Sequence, residues 1–207
     1  MSSNVRWYAA GFIGFGLCLG AVQTSAQEPK PVRVRGTIER LEGDSFVIKT
    51  RDGSEVKVRL TEKPLIVAIK KAALSDVKPG SYVGATGMPQ PDGSQRAVEV
   101  HIFTEAMRGT GDGHYGWDLV PQSTMTNGNV EQSVVGTDGQ TLTVKYKDGE
   151  KKVIVTPETQ IVVYTPGEAS ELKPGAKIFI GAAKPQPDGS LQTPRINVGR
   201  DGLTPPM

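Results

Sequence analysis

The stretch "GTGDGHYGWDL" (109–119) gathers most of the reactive side chains this sequence offers. His114 has Asp112 two positions before it and Asp118 four positions after it. An imidazole with two carboxylates is a donor set for Zn²⁺, Cu²⁺ or Ni²⁺, and a further ligand would have to come from His101, the other histidine of the chain. Tyr115 and Trp117 offer a different chemistry, a stacking platform for a sugar or a peptide. The simplest expectation asks for neither. A long aromatic loop packs on its own scaffold, with Trp117 plugging a seam between domains while Asp112 and Asp118 serve turns.

His101 lies in "AVEVHIF" (97–103), beside Glu99. With Val100 and Ile102 facing inward, alternation sends it to the opposite, wetter face. One histidine without a spaced partner defines no metal site. The usual catalytic signatures are missing: no Gly-x-Ser-x-Gly, no Gly-x-x-x-x-Gly-Lys, no His-Glu-x-x-His and no EF-hand loop. Nor does anything mark two carboxylates as facing one cleft for general acid–base hydrolysis. The chain reads as a non-enzyme.

The scaffold for these residues begins after a leader. Arg6 precedes an apolar run, "WYAAGFIGFGLCLGAV" (7–22), and then "QTSAQEPK". A basic start, a short apolar core and a small-residue exit predict a signal peptide over 1–26, cut after Ala26, with 27–31 as a linker. The run is short against the roughly 20 residues of a spanning helix. Cys18, the one cysteine, would leave with the leader, so packing rather than disulfides must hold the exported fold. The formal charge is +2, and removal of Arg6 leaves +1. That gives no electrostatic footprint for nucleic acid, and no later segment is fit to be an integral membrane span.

The rest of the chain says most things twice. "PQPDGS" occurs at 89–94 and again at 185–190. "FVIKTRDG" (46–53) lies over "LTVKYKDG" (142–149), and Thr61–Gly80 over Thr156–Gly175 with seven identities in twenty positions. Two units of this length predict an internal duplication rather than a solenoid. Period-two alternation, as in Val56, Val58 and Leu60 or Leu142, Val144 and Tyr146, predicts strands. "LIVAIKKAAL" (65–74) alone could pass for a helix, but Pro166-Gly167 interrupts its counterpart, so it is read as a short strand and a loop. "SDVKPG" and "SELKPG" predict a helical turn with a Ser cap and a Pro-Gly stop. "PQPDGS" is a hairpin tip, its prolines barring edge pairing and Asp-Gly turning the chain.

The expected fold is therefore all-β, with two tandem small β-barrels of OB-like type at 32–103 and 130–200. An aromatic, glycine-rich loop at 104–129 joins them, and 201–207 is a disordered tail. The units resemble an exported bacterial family of tandem domains of unknown function, patterned G-x-I…DG…V-x-V…L-K-P-G-x-x-V…P-D-G-S. Gly36-Thr37-Ile38, Asp52-Gly53, Val77-Lys78-Pro79-Gly80, Val83 and Pro91-Asp92-Gly93-Ser94 carry the match, and the second copy departs from it with Gln132 where Gly36 stands. The resemblance covers both copies, about two-thirds of the chain. It implies small OB-like barrels and export, and no catalytic residue.

The function expected from this is a periplasmic or secreted binding module for another envelope protein or a small periplasmic ligand. The alternative is a metal-handling accessory protein using the inter-copy His/Asp loop. No resident cofactor is implied beyond that divalent metal.

Overall fold

The computed structural model describes residues 29–136 and 139–207. The expected leader lies outside the described residues. The described chain is all-β, with twelve strands and four short 3₁₀ turns. No described helix is long and apolar enough to cross a membrane.

Strands β1 (Val32–Glu42), β2 (Ser45–Thr50) and β3 (Glu55–Lys71) form an antiparallel meander. It is completed by β11 (Lys177–Pro185) and β12 (Leu191–Gly199) from the far end of the chain. β11 pairs antiparallel with β1, and β12 pairs parallel with β3, which closes a five-stranded barrel. The remaining strands repeat this arrangement. β7 (Thr124–Gly136), β8 (Gly139–Tyr146) and β9 (Gly149–Val155) form the second meander. β4 (Tyr82–Pro89) and β5 (Gln95–Ile102) complete it, β4 antiparallel to β7 and β5 parallel to β9 through two residue pairs.

Each meander is thus completed by two strands from the other half of the chain. The expectation that 32–103 and 130–200 each close a barrel of their own is corrected: each ring takes three strands from one segment and two from the other. The Lys-Pro-Gly turns report the same arrangement. Gly80 N–H donates to Val130 O at 2.8 Å, and Gly175 N–H to Ile38 O at 2.8 Å, each reaching into the other segment. Both glycines have φ +86°, left-handed backbone that glycine takes without a Cβ penalty.

Alternation explains the ring cores. Ile38, Ile48, Val58, Ile178, Ile180 and Ile196 fill the first ring, and Val83, Val100, Val130, Leu142, Val144, Val153 and Val155 the second. Val98 is exposed, although it shares the period-two alternation of Val100 and Ile102. A register shift between Thr86 and Gly87 puts Ala97 in the core instead. Gly36 and Gly128 occupy matching places, each two residues before the bulge of its meander. A Cβ would overlap Lys49 O at the first and Lys145 O at the second. Gly128, not Gln132, is therefore the counterpart of Gly36. A longer β7–β8 hairpin hides the match from linear alignment.

Two local expectations also change. "LIVAI" belongs to one continuous 17-residue strand, β3. Its end is buried on both faces, Ala68 in the first ring and Val67 and Ile69 against the seam, so it reads as an unbroken apolar run. The 3₁₀ turns Leu74–Asp76 and Ala169–Glu171 have no Ser cap. Their closing acids, Asp76 and Glu171, accept the N–H of Ala73 and Glu168, each at 2.8 Å.

A third core lies between the rings. β10 (Gln160–Pro166) pairs antiparallel with β3 and parallel with β5, and so joins the rings in one sheet. Val67, Ile69, Val162, Tyr164, Tyr82, Phe103 and Phe179 pack along this seam, covered by Met107 and Met207. The chain end is not a loose tail. Pro205, Pro206 and Met207 are buried, and Arg35 Nε donates to Met207 O at 2.8 Å.

Candidate functional site in the seam

The seam holds a half-open cavity of about 390 Å³, within the range of small-ligand sites. Its walls are aromatic: Phe103, Tyr164, Phe179, Tyr115 and Trp117, with Met125 and Met207. Its polar side chains are His101, Asn127, Arg195, Asn197, Thr110 and Thr193. No Asp, Glu, Ser, Cys or Lys lines it among the described residues.

His101 sits at this wall, 3 % exposed rather than on a wet face. Alternation placed it correctly on the outward side of β5. β10 then covers that side, with Val162 paired to His101 and the Tyr164 ring stacked on the imidazole at 4.9 Å and 9°. Phe103 meets the imidazole edge-on at 4.7 Å. His101 Nδ1 lies 2.6 Å from Glu99 Oε1, where an Nδ1–H donates to the carboxylate. Glu99 is fully buried, and its Oε2 has no partner among the described residues. Gly84 is paired with His101 across the sheet, and a Cβ there would overlap both His101 Nε2 and Asn127 Oδ1. Its missing side chain admits both groups.

Asn127, on β7, is oriented without ambiguity. Its Nδ2 donates to Thr110 O at 3.2 Å, Gly111 O at 3.1 Å and Tyr115 Oη at 3.1 Å. Oδ1 is left buried with no partner among the described residues. Trp117 Nε1 is buried and unpaired there as well. A buried polar atom without a partner costs free energy that a ligand can return.

The segment 103–123 is a strap over the seam, and its carboxylates are its anchors. Asp112 accepts from Tyr82 Oη at 3.2 Å and Lys147 N at 2.7 Å, which ties the strap to the second ring. Burial, with the Asp112 charge, pushes the Tyr82 phenol well above its usual range. Asp118 pairs with Arg35 at 2.7 Å and Arg33 at 3.2 Å, which ties the strap to the first ring. Burial works to raise the Asp118 carboxyl, but the two arginines outweigh it and hold it below the ordinary carboxylate range. Arg33 also lies over the Trp117 ring at 4.0 Å. Short strand β6 (Gly113–Gly116) pairs with β7. There His114 Nδ1 donates to Thr126 Oγ1 at 2.8 Å, since that hydroxyl donates in turn to Gln95 Oε1 at 2.7 Å.

The structure therefore divides the residues singled out by sequence. His101, Tyr115 and Trp117 meet at the cavity. His114, Asp112 and Asp118 do not join them. Among the described residues no group of three or more His, Cys, Asp or Glu could hold a metal ion.

Asn127, Tyr164 and Arg195 were not singled out. For Arg195 a signal existed: in the repeat, "RIN" (195–197) overlies "EVH" (99–101), so the outward face of the last strand reads Glu-x-His in one copy and Arg-x-Asn in the other. The structure keeps the parallel, with Arg195 Nε donating to Asn197 Oδ1 at 3.2 Å. Burial lowers the Arg195 pKa, which marks a desolvated cation, while the nearby Tyr164 opposes that shift. The Tyr164 phenol is pushed far up by burial, and the charges of Glu99 and Arg195 act on it with opposite signs.

Comparison with protein-family models, curated proteins and solved structures returns no match.

Proposed function

We propose that this protein is an exported, non-enzymatic binding module whose ligand site is the cavity between two OB-like barrels. The carrying observation is the aromatic, half-open cavity of about 390 Å³ in the seam, with His101, Asn127, Arg195 and Asn197 among its polar lining residues. An apolar pocket with a few converging polar groups is the general form of a small-molecule site. Support for the OB-like reading comes from the strand order β1-β2-β3-β12-β11 with its parallel β3–β12 pair. The duplication and the kinship with the exported tandem family rest on the repeated turns. The leader at 1–26 supports the periplasmic or secreted location.

Trp117 is the sole tryptophan outside the expected leader, so its fluorescence reports on the site. The chain from Gln27 onward is titrated with a panel of small aromatic and sugar compounds, with melts run in parallel. A saturable fluorescence change with a rise in Tm is expected for at least one class, because a ligand bound only by the folded state stabilises it. Ala182→Trp, which places bulk at the cavity wall, is expected to abolish both. A panel with no response, or the same response from Ala182→Trp, rejects the cavity as the site.

A further inference from the structure

The cavity is polarised between its two rings, and this narrows the ligand. Arg195, contributed by β12 of the first ring, makes one side-chain hydrogen bond among the described residues, the one to Asn197. No carboxylate stands within 4.0 Å of it among the described residues. It is part-buried and lies over Tyr164, 5.5 Å from the ring centroid. A part-buried guanidinium with its two terminal nitrogens unspent is suited to a carboxylate, which takes two parallel N–H bonds. The second ring's contribution has the reverse character. Asn127 Oδ1 is a buried acceptor without a donor among the described residues.

The same cavity is lined by Phe103, Tyr164 and Phe179, whose ring faces and edges favour a flat aromatic body. Resting on the cavity being the binding site, we propose that its ligand is a small aromatic carboxylate with a hydroxyl or amino donor remote from the acid. The acid sits on Arg195, the ring between the aromatic walls, and the remote donor on Asn127 Oδ1.

The test uses the chain from Gln27 onward and four probes: 4-hydroxybenzoate, benzoate, 4-hydroxybenzyl alcohol and phenol, by calorimetry and Trp117 fluorescence. A charge-assisted pair lost with the acid predicts that 4-hydroxybenzoate binds at least about tenfold tighter than 4-hydroxybenzyl alcohol. Benzoate, without the remote donor, is expected to be weaker than 4-hydroxybenzoate by several-fold. Arg195→Gln is expected to erase the preference for the acid while leaving the weaker binding of the alcohol. The probe series on the unaltered chain tests the same point should that variant fail to fold. Equal binding of acid and alcohol overturns the assignment of Arg195 and leaves the cavity reading intact. So does binding of the neutral probes alone. Failure of these probes beside a response to a sugar overturns the aromatic-acid assignment, and failure of the whole aromatic and sugar panel overturns the binding site itself.

Discussion

The two rings agree where backbone geometry rules and differ where they face each other. Their "PQPDGS" tips make the same bonds: Ser94 Oγ to Asp92 and Ser190 Oγ to Asp188, each at 2.6 Å, with Gly93 and Gly189 both at φ +82°. Across the seam the agreement ends. β5 presents Glu99 and His101, and β12 presents Arg195 and Asn197. Opposite His101 stands Gly84, while opposite Asn197 stands Phe179. Two identical outer faces would set like charge beside like. Unlike faces can share one seam, and here they line a half-open cavity to which one ring brings a cation and the other an unpaired acceptor residue. A turn is constrained by its own few residues, whereas an outer face is constrained only by what covers it.

The largest effect is expected from separating the two segments. Residues 29–103 hold β1–β5 and residues 124–207 hold β7–β12, yet each ring needs strands from both. Each piece expressed alone is expected to show no cooperative melt, and the two mixed are expected to regain one. A monomeric, cooperative melt from either piece would show that a segment can close on its own strands.

A smaller effect tests the matched meanders. Gly36→Ala and Gly128→Ala each place a Cβ onto a neighbouring strand's carbonyl, so the strand must shift rather than a side chain. Each is expected to cost about 1–3 kcal/mol, the range for overpacking, read as a fall in the denaturant midpoint. Similar costs for the two would support their equivalence. A neutral Gly128→Ala would undo it.

Gly128 also shows what a linear reading can and cannot recover. The strands, the hairpin tips and the Lys-Pro-Gly turns were legible because each depends on chemistry within a few residues. The partnering of the halves was not, because β4 and β5 carry the same alternation whichever meander they complete. The route of 72–81 decides between partners, and no local pattern encodes that route. His101 failed for a related reason. Alternation assigns a side chain to a face of the sheet but does not say whether β10, far along the chain, will cover it. Asp112 and Asp118 looked like ligands because acids near a histidine fit metal chemistry. Their partners Tyr82, Arg33 and Arg35 come from elsewhere in the chain. Tyr115 and Trp117 were found because aromatic residues are uncommon in a loop and need something to pack against.

The two anchors of the strap offer a contrast of moderate size. Asp118→Asn removes a partly exposed pair with Arg33 and Arg35, expected to cost about 1 kcal/mol or less. Its folded pKa is depressed, so its contribution is present above about pH 4, the unfolded value, and fades as pH falls through the lower folded value. The variant should therefore lose part of the chain's acid sensitivity, measured as Tm against pH across the acid range. Asp112→Asn keeps an acceptor for Lys147 N–H and Tyr82 and is expected to lower Tm at neutral pH less than Asp118→Asn does. The reverse ranking would mean that the strap is held mainly by the second ring.

The smallest effect lies at the tips, where the rings look most alike. Asp92 and Asp188 are both exposed, and each is held below the usual carboxylate range first by the hydroxyl and then by the N–H of the serine two positions on. Asp188 sits at about 2, and it has one thing Asp92 lacks, an ion pair with Arg59 at 2.7 Å. Its stabilising contribution should be complete above about pH 3.9 and lost as pH falls through about 2. At neutral pH and low salt, Asp188→Ala is expected to lower Tm slightly more than Asp92→Ala. High salt should close the gap, because the surface pair is screened while the serine bonds, common to both tips, are not. A gap that persists in high salt would place the difference in the turn itself, and the two tips would no longer count as equivalent.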